Sequence, residues 1–334
     1  MLRAASIGLG WWSDELAGAI QGRSERIGIV TCYSRSPEKR AAFADKFGTA
    51  QHESFAAVLA DPNIDAVILT TPHSLHAEHV SMAAEAGKHV FVEKPFTLTA
   101  ESGRRAAAAC ETAGVVLAVG QNRRFSAAAQ ALKTMWDAGG FGTVLHLEAN
   151  FSVPGALSYT PEKWRASRLE SPAGGLAGLG IHMIDLMCWL AGPVRRLTAQ
   201  AKRRAVSVDI DDTTSALFDF ASGPTGYLGS VCACPNTIFF NVYGTEANAF
   251  ALVDANDLKI QNPGGQPETQ KIAPVDTLKT ELEEFAAACA GGPAFRIRPA
   301  EAIHNVAVME AIATSAAQDS TPVILGSRPL AVSV

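Results

Sequence analysis

The chain of 334 residues has no apolar run long enough to cross a bilayer, so no membrane-spanning helix organises it. It also has no excess of positive charge. Its 28 Lys and Arg stand against 33 Asp and Glu, a net charge of −5, which removes the basic footprint of a nucleic-acid binder. The six cysteines are scattered and read as reduced thiols of a cytoplasmic protein. Cys232 and Cys234 lie two apart on a strand-like stretch, but two thiolates do not make a zinc site, and they are read as core packing. No metal is expected. The N-terminal segment has no secretory layout, because a glycine turn interrupts it and no cleavage-like region follows. What is plentiful is apolar: 48% of the residues, enough for a large core and two domains.

The first domain is announced at once. Ala4-Ala5-Ser6-Ile7 is strand-like, Gly8-Leu9-Gly10 follows, and a helix is expected from about Asp14 to Ile20. A strand, a glycine turn and a helix start form an anion site, since backbone N–H groups and the helix dipole face the phosphates. The pattern is incomplete: Trp11, Trp12 and Ser13 stand where a full Gly-x-Gly-x-x-Gly would close on glycine or alanine. After the next strand the chain reads Tyr33-Ser34-Arg35-Ser36, without the carboxylate that bonds an NAD ribose. Ser34 and Arg35 instead suit a 2′-phosphate, so NADP is the preferred cofactor, with NAD as the alternative.

Further strand-to-turn junctions follow. Asp65–Thr71 reads as a strand stopped by Pro72, with Ser74 as N-cap of a helix through His76 to Ala86 and Gly87 as its C-cap. His73, His76 and His79 recur every third residue but drift around a helix by about 60°, so structure or cofactor contact is favoured over a metal face. Thr71, Pro72, His73 and His76 join the cofactor candidates, with His76 placed nearest the cleft. The buried run Lys88–Val92 then delivers Glu93-Lys94-Pro95 at its carboxyl end, where ligands bind in an open α/β sheet. Lys94 is thus a candidate acid–base residue. Glu93, Lys94 and Gln121, at the end of the next strand, are assigned to the cofactor, and Arg123 to the substrate. The other reading of Lys94 is a lysine paired with cofactor phosphate or with Glu93.

A helix from Thr99 to about Thr112 and a strand Val115–Gly120 complete an alternation that demands a doubly wound parallel sheet. Past residue 121 the rhythm changes. A helix to about Ala138 precedes strands at Val144–Val153, Val194–Ala201, Asp212–Ala221, Thr225–Cys234, Ile238–Gly244 and Ala249–Val253, a run that suits a mainly antiparallel second sheet. Leu278, Leu282, Phe285 and Cys289 mark the apolar face of a later helix, and another is expected from Ala300 to Ala317. The expected division is a nucleotide-binding domain at 1–121 and a substrate-binding and oligomerisation α+β domain at 122–334. Within the second, Tyr159, Trp164, Arg165 and Arg168 offer an aromatic face beside guanidinium groups, fit for a sugar ring or a carboxylate. Equally, Trp164 anchors the loop and Arg165 touches the cofactor.

Taken together, Gly8-Leu9-Gly10, Thr71-Pro72-His73-Ser74-Leu75-His76, Ala86–Val90 leading into Glu93-Lys94-Pro95, Gly174-Gly175 and Gly180–Leu186 resemble the glucose–fructose oxidoreductase / inositol dehydrogenase / MocA (Gfo/Idh/MocA) family over nearly the whole chain. The resemblance implies a Rossmann domain followed by an open, predominantly antiparallel sheet, a cis Lys94–Pro95 bond, and Lys94 and His182 near the nicotinamide. It also implies hydride transfer to or from a sugar, cyclitol or related cyclic alcohol, and a homodimer or homotetramer built through the C-terminal sheet. Lys94 and His182 would then move the hydroxyl proton, with Asp185 a further substrate candidate. One position departs from the family pattern: an aspartate common four residues before the histidine is Gly178 here. That departure keeps open a substrate needing fewer hydroxyl contacts and a cofactor-binding sensor without turnover; NAD-assisted glycoside hydrolysis, which the resembled fold also supports, is a third alternative.

Overall fold

The computed structural model describes residues 1–252 and 257–326, so Val253, at the end of one expected strand, and the last residues of the expected second domain lie outside the described residues. Short apolar strands alternate with helices through the first third of the chain: β1 Leu2–Ile7, α1 Trp11–Ile20, β2 Ile27–Tyr33, α2 Pro37–Phe47, β3 Ala50–Gln51, α3 Phe55–Ala60, β4 Ala66–Leu69, α4 His76–Glu85, β5 His89–Glu93, α5 Ala100–Ala113 and β6 Leu117–Gly120. After them come α6 Ala127–Asp137, β7 Val144–Ser152, α7 Gly180–Ala191, β8 Val194–Lys202, β9 Thr213–Phe220, β10 Thr225–Val231, β11 Thr237–Gly244, β12 Asn248–Leu252, β13 Asp257–Gln261 and β14 Glu268–Lys271. The chain closes with α8 Thr277–Cys289, α9 Pro299–Ala317 and β15 Val323–Ile324.

The first six strands form a parallel sheet in the order β3-β2-β1-β4-β5-β6. Residues Ala66–Leu69 and Val90–Val92 are wholly enclosed, as strands covered on both faces require. The remaining strands form a nine-stranded sheet, β14-β13-β12-β11-β7-β10-β9-β8-β15, antiparallel except for the β7–β10 pairing. This is the α/β architecture expected from the sequence.

The chain divides into two compact units, one of residues 1–122 and 276–303, the other of residues 123–275 with 304 onwards. In the first unit α8 packs against α1, and Ser24 donates to Glu283 at 2.7 Å. Phe285 of α8 lies with its ring centroid 5.8 Å from that of Phe91 in β5. Both rings have no exposed surface, and each contributes roughly 1.5–3 kcal/mol by burial. The second unit is built on a buried charge pair. Arg124 donates from Nε and Nη2 to the two carboxylate oxygens of Asp185, each at 2.7 Å, and Asn305 adds a third bond at 2.7 Å.

Local chemistry moves several boundaries. α1 begins at Trp11 instead of Asp14, where Ser13 Oγ donates to the Gly10 carbonyl at 2.6 Å and accepts the Gly10 N–H at 3.0 Å, tying the first turn to its N-cap. Ser74 does not cap the next helix. A short 3₁₀ turn over His73–Leu75 runs directly into α4, and Ser74 sits inside it. α5 enters on Thr99 and ends on Gly114, as its sequence signals indicate. Removing one partner of the enclosed pair leaves an uncompensated buried charge, so Arg124→Met is expected to cost about 3–5 kcal/mol in urea unfolding. A change below 1 kcal/mol on the order-of-magnitude scale for exposed pairs would show that the pair contributes nothing to the fold.

Candidate active site

The carboxyl edge of the parallel sheet gathers the cofactor candidates. Gly8 follows β1 with φ of 90°, and a Cβ there would come within 2.8 Å of the Thr71 backbone nitrogen. Only glycine permits that approach. Thr70 Oγ1 donates to the Gly8 carbonyl at 2.5 Å and fixes the two turns side by side. At Gly10 a Cβ would meet nothing within 4 Å, so the backbone at the N-terminus of α1 is open to a bulky anion. Ser13, standing where a third glycine was absent, is enclosed and spends its hydroxyl on the cap. The turn therefore fits a dinucleotide pyrophosphate. Trp11 is 72% exposed beside it, and its ring lies 5.2 Å from that of Trp12.

After β2, Arg35 is exposed and Ser36 caps α2 by accepting the Lys39 N–H. Ser34 donates to the Ser36 carbonyl at 3.3 Å. Its own carbonyl accepts from Arg40, a buried guanidinium, at 2.8 Å. At the next strand end, Thr71 and His73 are buried and His76 is enclosed completely. His76 Nδ1 lies 2.8 Å from the Pro95 carbonyl and Nε2 3.0 Å from the Thr71 carbonyl. Burial pushes its pKa down to about 4, against opposing contributions from those carbonyls.

β5 ends on Glu93, whose carboxylate accepts the Lys94 N–H at 3.2 Å. A Cβ at Gly120 would stand 2.8 Å from Glu93 Oε1, so the glycine ending β6 makes room for that carboxylate. Lys94 is half-buried, and the Lys94–Pro95 peptide is cis. Gln121, directly after β6, is buried and donates its backbone N–H to Glu281 Oε1 of α8 at 2.6 Å.

In the second unit, His182 sits in the first turn of α7, 6% exposed, with its ring stacked on Phe151 at 5.6 Å and 26°. The Arg123 guanidinium lies over the same phenyl ring at 5.4 Å, and burial pushes its pKa down to about 10. Phe151 thus brings Arg123 and His182 to one aromatic ring. Gly178, one turn before His182, has only the Gly175 carbonyl near its would-be Cβ, at 3.9 Å. The position is spacious. The Asp185 carboxylate accepts from Arg124 and Asn305 and has no exposed surface. Arg168 is paired with Asp211 at 2.9 Å and Asp209 at 3.2 Å, while Arg165 stacks on Trp164 at 4.0 Å. Phe151, Arg124, Glu281 and Asn305 were not among the sequence candidates. Each acts through a partner distant in the chain, and only the doubled arginine at 123–124 gave any local signal.

Comparison with known proteins fits this layout. A family model described as an oxidoreductase family with an NAD-binding Rossmann fold matches residues 2–121, and a GFO/IDH/MocA C-terminal domain matches residues 129–250. A D-xylose 1-dehydrogenase (NADP(+)) of Haloferax volcanii is 29% identical over 89% of this chain and 92% of its own length. A solved protein of Desulfitobacterium hafniense, provisionally designated an NADPH-dependent oxidoreductase, is 31% identical over 97% of both chains, with a TM-score of 0.91. Levoglucosan dehydrogenase in complex with NADH and levoglucosan is 25% identical, with a TM-score of 0.85 over 97% of this chain and 99% of that one. The chain belongs to the Gfo/Idh/MocA family of NAD(P)-dependent oxidoreductases. It is an oxidoreductase.

The enclosed His76 links this edge to stability. Its folded pKa of about 4 lies below the ordinary value of 6.5, so between the two the unfolded chain holds a proton that the folded chain lacks. Stability is therefore complete above about pH 6.5 and falls as pH drops towards 4, by about 3 kcal/mol from this ring alone. Burial lowers His79, His89 and His304 in the same direction. Urea titrations at neutral pH and near pH 4.5 should show the loss, with a smaller slope in His76→Gln. An identical slope would assign the effect to the other histidines.

Proposed function

We propose that the chain transfers hydride between NADP(H), in preference to NAD(H), and a sugar, cyclitol or related cyclic alcohol or ketone, with Lys94 and His182 moving the hydroxyl proton. The observation that carries the reading is Lys94, a half-buried ammonium at the carboxyl end of β5, on the ligand-binding edge of the sheet. The bound nicotinamide supplies the hydride acceptor or donor. Lys94 and His182 take the hydroxyl proton in oxidation and return it to the carbonyl oxygen in reduction. Stacking on Phe151 restricts the plane of the His182 ring. Arg123 is the substrate contact favoured beside it, since Asp185 and Arg168 are already committed to ion pairs.

NADP preference rests on the loop after β2. Ser34 and Arg35 bring no carboxylate against a 2′-phosphate, the α2 N-terminus starts beside them, and Arg40 holds the loop by the Ser34 carbonyl. Relatives named for NADP agree with it. The empty space at Gly178 favours a substrate with fewer hydroxyl contacts, such as a cyclic dihydrodiol or an oxidised sugar derivative. Association into a homodimer or homotetramer is assigned to the face of the second sheet where Leu217, Tyr227, Glu148, Asn241 and Phe250 form a cross-strand row, partly or fully exposed. The other face packs against α7.

Initial rates of NADP⁺ and NAD⁺ reduction across sugars, cyclitols, sugar acids and dihydrodiols test the chemistry. Lys94→Ala should lose about 10²–10⁴-fold in kcat. Arg35→Ala should shift the NADP⁺/NAD⁺ ratio of kcat/KM about ten-fold towards NAD⁺, the worth of one charged hydrogen bond. Full turnover in a folded Lys94→Ala protein would remove Lys94 from the mechanism. For the assembly, light scattering after chromatography should report a smaller particle for Tyr227→Glu than for the parent chain, and equal masses would place the contact elsewhere.

A further inference from the structure

Lys94 reaches its position through a backbone turn, and the residue that holds that turn is on another element. His76, the first residue of α4, is completely enclosed, and its two ring nitrogens span two main-chain carbonyls. Nδ1 lies 2.8 Å from the oxygen of Pro95, next to Lys94, and Nε2 3.0 Å from the oxygen of Thr71. Thr71 in turn stands against Gly8, in the turn that suits the pyrophosphate, at a separation that no Cβ would fit. The imidazole is therefore the middle member of a chain running from the glycine turn through Thr71 to the Lys94 turn. Both ends of this chain are backbone, so they leave no side-chain pattern in the sequence.

We propose that His76 is a positioning residue: it ties the Thr71–Pro72 turn to the Lys94–Pro95 turn and so sets Lys94 relative to the cofactor turn. This rests on the reading of Lys94 as a proton-transfer residue. The imidazole suits the task because its two nitrogens lie on opposite sides of a rigid ring with only two torsions. Neutral, its single N–H donates to one of the two carbonyls while the enclosed ring fills the space up to the other; protonated, it would donate to both. Burial holds it neutral at ordinary pH, with a pKa of about 4, so the tie consists of one N–H bond and the packed ring. The ring also meets His73 edge-on, with centroids 5.8 Å apart, which limits its rotation. Enclosure on all sides excludes His76 as a direct contact to substrate. Its influence on the reaction passes through the backbone it holds.

The test compares His76→Leu, which keeps bulk and loses the N–H donor, with His76→Gln, which keeps an N–H donor, in the full-length protein with Lys94→Ala as control. Kinetics give kcat and KM, tryptophan fluorescence gives the cofactor Kd, and thermal unfolding gives the folded fraction at the assay temperature. A displaced Lys94 should lower kcat per folded molecule about 10- to 100-fold in His76→Leu. The cofactor Kd should change by less than the kcat, and His76→Gln should recover part of the rate. A folded His76→Leu with parental kcat, or a loss confined to thermal stability or to cofactor Kd, overturns the assignment. Should the leucine variant not fold, kcat in His76→Gln decides: a parental value overturns the proposal and a reduced one with intact cofactor binding supports it. Turnover retained by Lys94→Ala would instead remove the Lys94 reading, an outcome separate from a dead Lys94→Ala beside a fully active His76→Leu.

Discussion

The contact between Gly8 and the Thr70–Thr71 backbone is the constraint on which the nucleotide unit depends. β1 and β4 are neighbours in the sheet, and the chain leaves β1 towards β2 on one side and β4 towards β5 on the other. At such a reversal of strand order the two following turns diverge and leave a crevice at the carboxyl edge. The crevice stays narrow only if the first turn carries no side chain, and Gly8 meets that condition with φ of 90°. The open backbone at Gly10, the start of α1 and the enclosed Thr71 all take their places from that one approach.

Both units place charged groups where water does not reach, and satisfy them in different ways. Lys88 gives its ammonium to the carbonyls of Asp61 and Ile64, each at 2.8 Å, so backbone serves as its counter-charge. Arg124 instead takes a full carboxylate in two-point geometry, the arrangement that best offsets the loss of hydration. Asp185 lies one turn after His182 on α7. The same pair that neutralises Arg124 therefore fixes the helix that carries His182.

The sequence was most readable where function and local chemistry coincide. Thr99 and Gly114 act within a few residues of themselves, and the strand-and-turn rhythm exposed the parallel sheet directly. The reading fell short where a contact spans the chain. Ser74 has the composition of a cap, yet the 3₁₀ turn from His73 to Leu75 leaves it no helix end to cap. Asp185 and Arg168 stand out in the sequence as charges near conspicuous motifs, but their ion-pair partners Arg124, Asn305, Asp209 and Asp211 are set by folding alone. The short strands β3, β13, β14 and β15 gave no periodic signal, being two to five residues long. His76 was legible as important but not as a brace, since both of its partners are carbonyl oxygens, which every residue possesses.

The return of residues 276–303 to the first unit has a consequence for the order of synthesis. β5 and β6 are made early, but Phe91 waits for Phe285 and Phe295, and the N–H of Gln121 waits for Glu281. On the ribosome, the nucleotide unit thus emerges first yet remains unfinished until nearly all of the second sheet has been translated. An N-terminal fragment cut at the apparent end of the Rossmann pattern would present bare phenyl surface and an unmet amide at its own ligand edge. A nascent chain at that length keeps that surface uncovered, and the closing of α8 is what covers it.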